Sequence, residues 1–132
     1  MTTSPSGPRR RLAAVDTLMA SPADPRVAAR ASVWLLRLAV EHALDDLWRE
    51  HAPELVESSR RAQFLVLPKF LDAEDAWRVA ELWNVLSRVA HHHAYELTPT
   101  RAEIANWRDA VGVAVAVLEW GVGEPLVIVG GS

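Results

Sequence analysis

The chain has no cysteine in its 132 residues. That excludes disulfides, thiol catalysis and thiolate metal sites. Lysine is nearly missing too: of 14 Lys and Arg residues only Lys69 is a lysine. Against 17 acidic residues the formal net charge is −3, so there is no global basic field to hold nucleic acid, and such a contact needs a local patch. No apolar run approaches the roughly 20 residues that span a bilayer. The stretch Met1 to Arg11 is polar, and no uninterrupted apolar segment follows it. A cytoplasmic protein without a membrane partner is the expectation. The metalloprotease pattern H-E-x-x-H is absent, as are internal repeats and strand patterns of the RNP or OB type.

What is present suits one globular domain. Half of the residues are apolar, and a chain of this length buries a core without staples. Residues 1–20 read as a polar tail with a short helix over 10–20, where Leu12, Val15, Leu18 and Met19 recur at helical spacing. Ser21-Pro22-Ala23-Asp24-Pro25 is a helix start, because Ser or Asp caps free N–H groups and Pro fits the first turn. A long helix follows over 25–51, with two apolar stripes. Val27, Ala31, Trp34, Leu35, Leu38 and His42 form one, and Val33, Leu36, Val40, Leu44 and Leu47 the other. Such a helix is central in a bundle or shared with a dimer partner. A second helix runs from Arg60 to Leu67 after Ser58-Ser59, and Pro68 stops it. Asp72-Ala73-Glu74-Asp75 resembles a capping box, with Asp75 standing where Glu is usual, and opens a third helix over 73–93, with Val79, Leu82, Trp83, Leu86, Val89 and Ala90 as its apolar side. Thr98 to Glu103 opens a fourth that ends near Trp120, with Ile104, Trp107, Val111, Ala114, Val115 and Leu118 inward. The whole predicts an all-α bundle of four main helices plus a short N-terminal one, the domain proper covering 21–121. Residues 122–132 form a Gly-rich tail around the apolar run Pro125-Leu126-Val127-Ile128-Val129, readable as a docked tail or an edge strand.

Chemistry gathers at the end of the third helix. Three of the five histidines stand together there as His91-His92-His93. Asn84, Arg88, His91 and His92 fall at i, i+4, i+7 and i+8, one face of a helix. His93 lies about 140° from Arg88 on an ideal helix and converges with it only where the helix unwinds. One use of these groups is a histidine as general acid or base beside an arginine that stabilises a phosphate, which suffices for metal-independent RNA cleavage because the RNA supplies its own 2′-OH. A metal site needs donors from other helices, such as His42 or Glu41, because neighbouring imidazoles diverge by about 100°; no metal or other cofactor is expected. The third reading is a helix C-cap, in which His stabilises the last carbonyls.

Arg88-Val89-Ala90-His91-His92-His93 fits the pattern R-x4-6-H, with four residues between Arg88 and His93. At the end of the third main helix of an all-α chain, it resembles the HEPN domains (higher eukaryote and prokaryote nucleotide-binding). Val40 to Trp48 also looks like the first HEPN helix, and the resemblance covers roughly residues 23–120. It implies a dimeric, metal-independent endoribonuclease of toxin–antitoxin or phage-defence type, with the motifs of both subunits meeting in a cleft. Arg88 and His93 would be the catalytic pair. Asn84, His91, His92 and Tyr95 would support them or bind substrate, and an antitoxin or other protein would be a further partner. Active HEPN motifs usually carry a polar residue directly after the arginine, where this chain has Val89. The alternative implied by the same family is a non-catalytic dimeric module that binds a partner or nucleotide.

The six tryptophans suit core or dimer packing, since four lie on or near apolar stripes. Arg9-Arg10-Arg11 reads as a solubilising tail. Glu41, Asp45 and Asp46 read as a solvated face or as partners of Arg37 and Arg49.

Overall fold

The computed structural model describes residues 6–20, 23–92 and 98–120, His92 in its backbone alone. Five α-helices follow one another: α1 (Gly7–Ala20), α2 (Pro25–His51), α3 (Arg60–Val66), α4 (Ala73–His92) and α5 (Arg101–Trp120). Single 3-10 turns, Pro53–Leu55 and Leu67–Lys69, flank α3. There is no strand among the described residues. None of their helices is long and apolar enough to cross a membrane.

Local chemistry sets the helix starts. The Asp24 carboxylate accepts from the N–H groups of Arg26 and Val27, with Pro25 in the first turn of α2. Ser59 caps α3 through the Ala62 N–H. At α5 the cap is reciprocal: Glu103 N–H donates to Thr100 Oγ1 at 3.0 Å, and Thr100 N–H donates to Glu103 Oε1 at 2.9 Å. Two orphan donors are thereby satisfied at one helix end. At α4 the Asp72 carboxylate accepts from Glu74 N–H at 3.1 Å, and Asp75 takes no reciprocal part among the described bonds.

Long-range links fix the topology. Arg9 reaches Glu119, Arg108 reaches Asp16, and Arg101 donates to the Met19 carbonyl. Ascending α1 therefore means descending α5, so the two run antiparallel. Arg11 meets His42 near the start of α1, while Met19 and Ala29 line one groove at its end; α1 and α2 are antiparallel as well. Trp48 packs edge-on to Phe70, and Trp83 bonds Glu41, so α4 descends where α2 ascends. The result is an up-down-up-down arrangement of α1, α2, α4 and α5, with α2 at the centre. The short α3 with its 3-10 turns carries the chain from the end of α2 to the start of α4.

The core stripe of α2 is Val33, Leu36, Val40, Leu44 and Leu47, all buried, with Trp48 beside them. The other stripe faces outward in part: Val27 and Trp34 are exposed. The N-terminal helix is longer than its periodicity marks and is a full member of the bundle. It begins at Gly7 with Pro8 in its first turn, and it buries Leu12 and Val15. Gly7 sits against the His42 imidazole, which occupies the space that a Cβ would need. The seam between α1 and α5 is polar at its edge. Arg108 Nε and Nη2 donate to the two Asp16 oxygens at 2.8 and 2.9 Å. This bidentate bond to the guanidinium holds the Asp16 carboxyl below its ordinary value of 3.8.

Candidate functional site

The candidate site residues on α4 stand opposite its packed side. Ala76, Val79, Leu86 and Ala90 are buried in the core, while Asn84, Arg88 and His91 are exposed. Those three positions span about 10 Å of helix at 1.5 Å rise per residue. The face expected from the spacing is thus a solvent-facing stripe on the final turns of α4. His92 continues the helix as its last residue. His93 and Tyr95 lie outside the described residues. Arg88 makes no hydrogen bond or ion pair among the described residues, as is also true of the exposed side chains of Arg26, Arg30 and Arg61, whereas Arg9, Arg49, Arg60, Arg78 and Arg108 each pair with a carboxylate. Val89, next to it, is half-buried and packs against the core.

Beside this stripe the α2–α4 seam carries a polar cluster. Trp83 Nε1 donates to Glu41 Oε2 at 2.8 Å. Arg37 Nε stands 3.8 Å from the same oxygen, and its guanidinium carbon lies 4.3 Å from the Trp34 ring centroid. Cation and ring attract through the ring quadrupole. Because the helices are antiparallel and Glu41 is level with Trp83, Arg37 and Trp34 come level with Ser87 to His91. Arg37 Nε and Ser87 Oγ are buried without a hydrogen-bond partner among the described residues. Buried polar atoms of this kind are uncommon in folded proteins. The sequence showed the Arg37–Glu41 pair as an i, i+4 contact. The Trp83–Glu41 bond joins residues 42 positions apart, and no local pattern announces it.

Asp45 and Asp46 of α2 act as ion-pair partners. Arg49 holds Asp46 at 2.8 Å, and Arg60 of α3 holds Asp45 at 3.0 Å. His42 accepts at Nδ1 from Arg11 Nε at 3.5 Å, and its Nε2 is 3.9 Å from Asp46. No three His, Asp or Glu side chains among the described residues converge on a point that could hold a metal ion.

Fold and site together define an all-α up-and-down helical bundle with a polar stripe on the outer face of its third bundle helix. Comparison with protein-family models, with curated proteins and with solved structures gives no match.

Proposed function

We propose that the chain is a HEPN-like domain that cleaves RNA without a metal, using Arg88 and His93. The observation that supports this reading is the state of Arg88: exposed near the end of α4, without a partner among the described residues, while acidic groups hold the arginines of the neighbouring seams. A guanidinium left unpaired on a surface is suited to bidentate contact with a phosphate. In this mechanism the ribose 2′-OH attacks the adjacent phosphorus, its proton passing to a base. The P–O5′ bond breaks, and the 5′-oxygen leaves with a proton from an acid. The products are a 2′,3′-cyclic phosphate and a 5′-OH. His93 carries one of the two proton transfers, and Arg88 stabilises the charge gathering on the phosphoryl oxygens. Asn84 and His91 on the same stripe would bind the neighbouring phosphate or base, with His92 and Tyr95 completing the set. A dimer supplies the second histidine, and the exposed Trp34 on the adjacent helix gives apolar surface for it. A toxin-like role with an antitoxin or other protein partner belongs to the same reading, as does a place in the cytoplasm.

One observation favours the second reading, a non-catalytic module for a partner or nucleotide. Val89 packs against the core, so the position directly after Arg88 offers no polar group to the motif. Incubation of the purified chain with total RNA in EDTA separates the two. Fragments ending in cyclic phosphate, lost in both Arg88→Ala and His93→Ala, support the nuclease. Intact RNA under all conditions supports the binding module.

A further inference from the structure

The two seams of α5 are unlike. Toward α1 the helix is fastened by Arg9–Glu119 and Asp16–Arg108. Toward α4 it leaves an open groove of about 320 Å³, whose apolar walls are Val79 and Leu82 of α4 and Ala110, Val113, Ala114 and Val117 of α5. Val113 is 65% exposed, and Trp120, one turn beyond Val117, is 70% exposed. Ala110, Val113, Val117 and Trp120 recur at spacings of three and four, so α5 carries a second apolar stripe outside its core face. An apolar stripe of this kind in water marks a surface that something covers.

We infer that the groove is the seat of the chain's own segment Leu126-Val127-Ile128-Val129. The argument rests on reach, direction and chemistry. The last described residue of α5 is Trp120, and Val117 at the near end of the groove is a single turn back. Five residues, Gly121 to Pro125, connect Trp120 to the segment. Two of them are glycine, the residue that most readily turns a chain back at a helix end. From Val117 to Ala110 the groove runs about 10 Å along the helix. Four extended residues cover about 13 Å. The segment therefore matches the groove when laid antiparallel to α5, with Leu126 at Val117 and Ile128 near Val113. Every one of its four side chains is apolar, so either parity can fill the groove. Its backbone stays at the mouth, where water satisfies N–H and C=O groups.

The absence of native cysteine makes the test direct. Two double variants of the full chain place the pairs Val113→Cys with Ile128→Cys and Val117→Cys with Leu126→Cys. A control pairs Leu65→Cys, exposed on α3, with Ile128→Cys. Val113 is exposed enough to change without disturbing the core. Under mild oxidation both groove pairs should close an intramolecular disulfide about tenfold faster than the control, since a docked segment holds the sulfurs within bonding reach. Swapping partners, Val113→Cys with Leu126→Cys, should slow closure. Cross-links between two copies in place of closure within one chain would overturn the inference and assign the groove to a second copy. Closure no faster than the control would overturn it as well, leaving the groove to a different occupant.

Discussion

The two faces of α4 make opposite use of their side chains. On the inner face, Ala76, Val79, Leu86 and Ala90 are buried, and the Trp83 Nε1 tip is tied to Glu41 at 2.8 Å, while Ser87 Oγ is buried without a partner among the described residues. On the outer face, Asn84, Arg88 and His91 are exposed, and Arg88 has no bond or ion pair among the described residues. Apart from Ser87 Oγ, the inner face is therefore explained by folding, and the outer face is not. The α1–α5 seam widens the contrast, because there Arg9, Arg101 and Arg108 all bind groups of the same chain. An arginine engaged in this way has a structural reason to be where it is. Arg88 has none from packing, a state it shares with the exposed Arg26, Arg30 and Arg61, and what sets it apart is its place with Asn84 and His91 on one helix face.

Substitutions sharpen or break this contrast. The largest loss of stability is expected from Leu86→Ala, whose side chain is fully buried; about 2–5 kcal/mol is the usual cost of such a cavity, read by urea unfolding. The Trp83 ring lies 5.6 Å from that of Phe64, centroid to centroid; Trp83→Phe keeps a ring there but removes the donor to Glu41, and about 1–3 kcal/mol should go with it. A change near zero would show that the Trp83–Glu41 bond contributes little to holding α2 and α4 together. Asp16→Asn should cost less, about 0.2–1 kcal/mol, because that pair is largely in water. Its effect should depend on pH in a defined direction. The folded-state carboxyl is held below its ordinary 3.8 by Arg108. The stabilisation is therefore complete above that value and fades as the pH falls through the lower folded-state value. Wild type and Asp16→Asn should differ at neutral pH and converge in strong acid. Smallest of all should be the joint change Arg88→Ala with His91→Ala, within about 0.5 kcal/mol. A loss of about 1 kcal/mol or more would make the stripe a helix C-cap acting on the dipole, and the two faces of α4 would then both serve the fold.

Much of the fold was legible in the residues, because period and caps are local signals. The spacing of Val33, Leu36, Val40, Leu44 and Leu47 marks the buried side of α2. Thr98 to Glu103 marks the start of α5, but the reciprocal capping box forms there, between Thr100 and Glu103, and not at Asp72 to Asp75, where the residues resemble one and only the Asp72 carboxylate caps. The inward sides of α4 and α5 follow from the same periodicity. The standing of α1 was harder to read: a Pro- and Arg-rich start looks like a tail, and only the contact of Gly7 with His42 and the ties to α5 make it a bundle helix. The tryptophans also divide. Trp48 is fully buried, yet Trp77 is 65% exposed and Trp120 more so, since a stripe in sequence does not say whether a partner helix covers it. The site divides in the same manner. Periodicity grouped Asn84, Arg88 and His91 on one face, and the helix places them so. That Glu41, Arg37 and Trp34 stand level with them depends on the antiparallel packing of α2 and α4, which no local pattern encodes.

The central claim is that the outer stripe of α4 cleaves RNA. Purified wild type, Arg88→Ala and His93→Ala should be incubated with total RNA in EDTA, with folding of each checked by thermal melting and product ends by their cyclic phosphate. Wild type should cleave, and each variant should melt as wild type does while losing activity on the order of 10²–10³-fold, the scale of removing one stabilising donor. Cleavage by the variants at the wild-type rate, or no cleavage by the folded wild type, would contradict the claim.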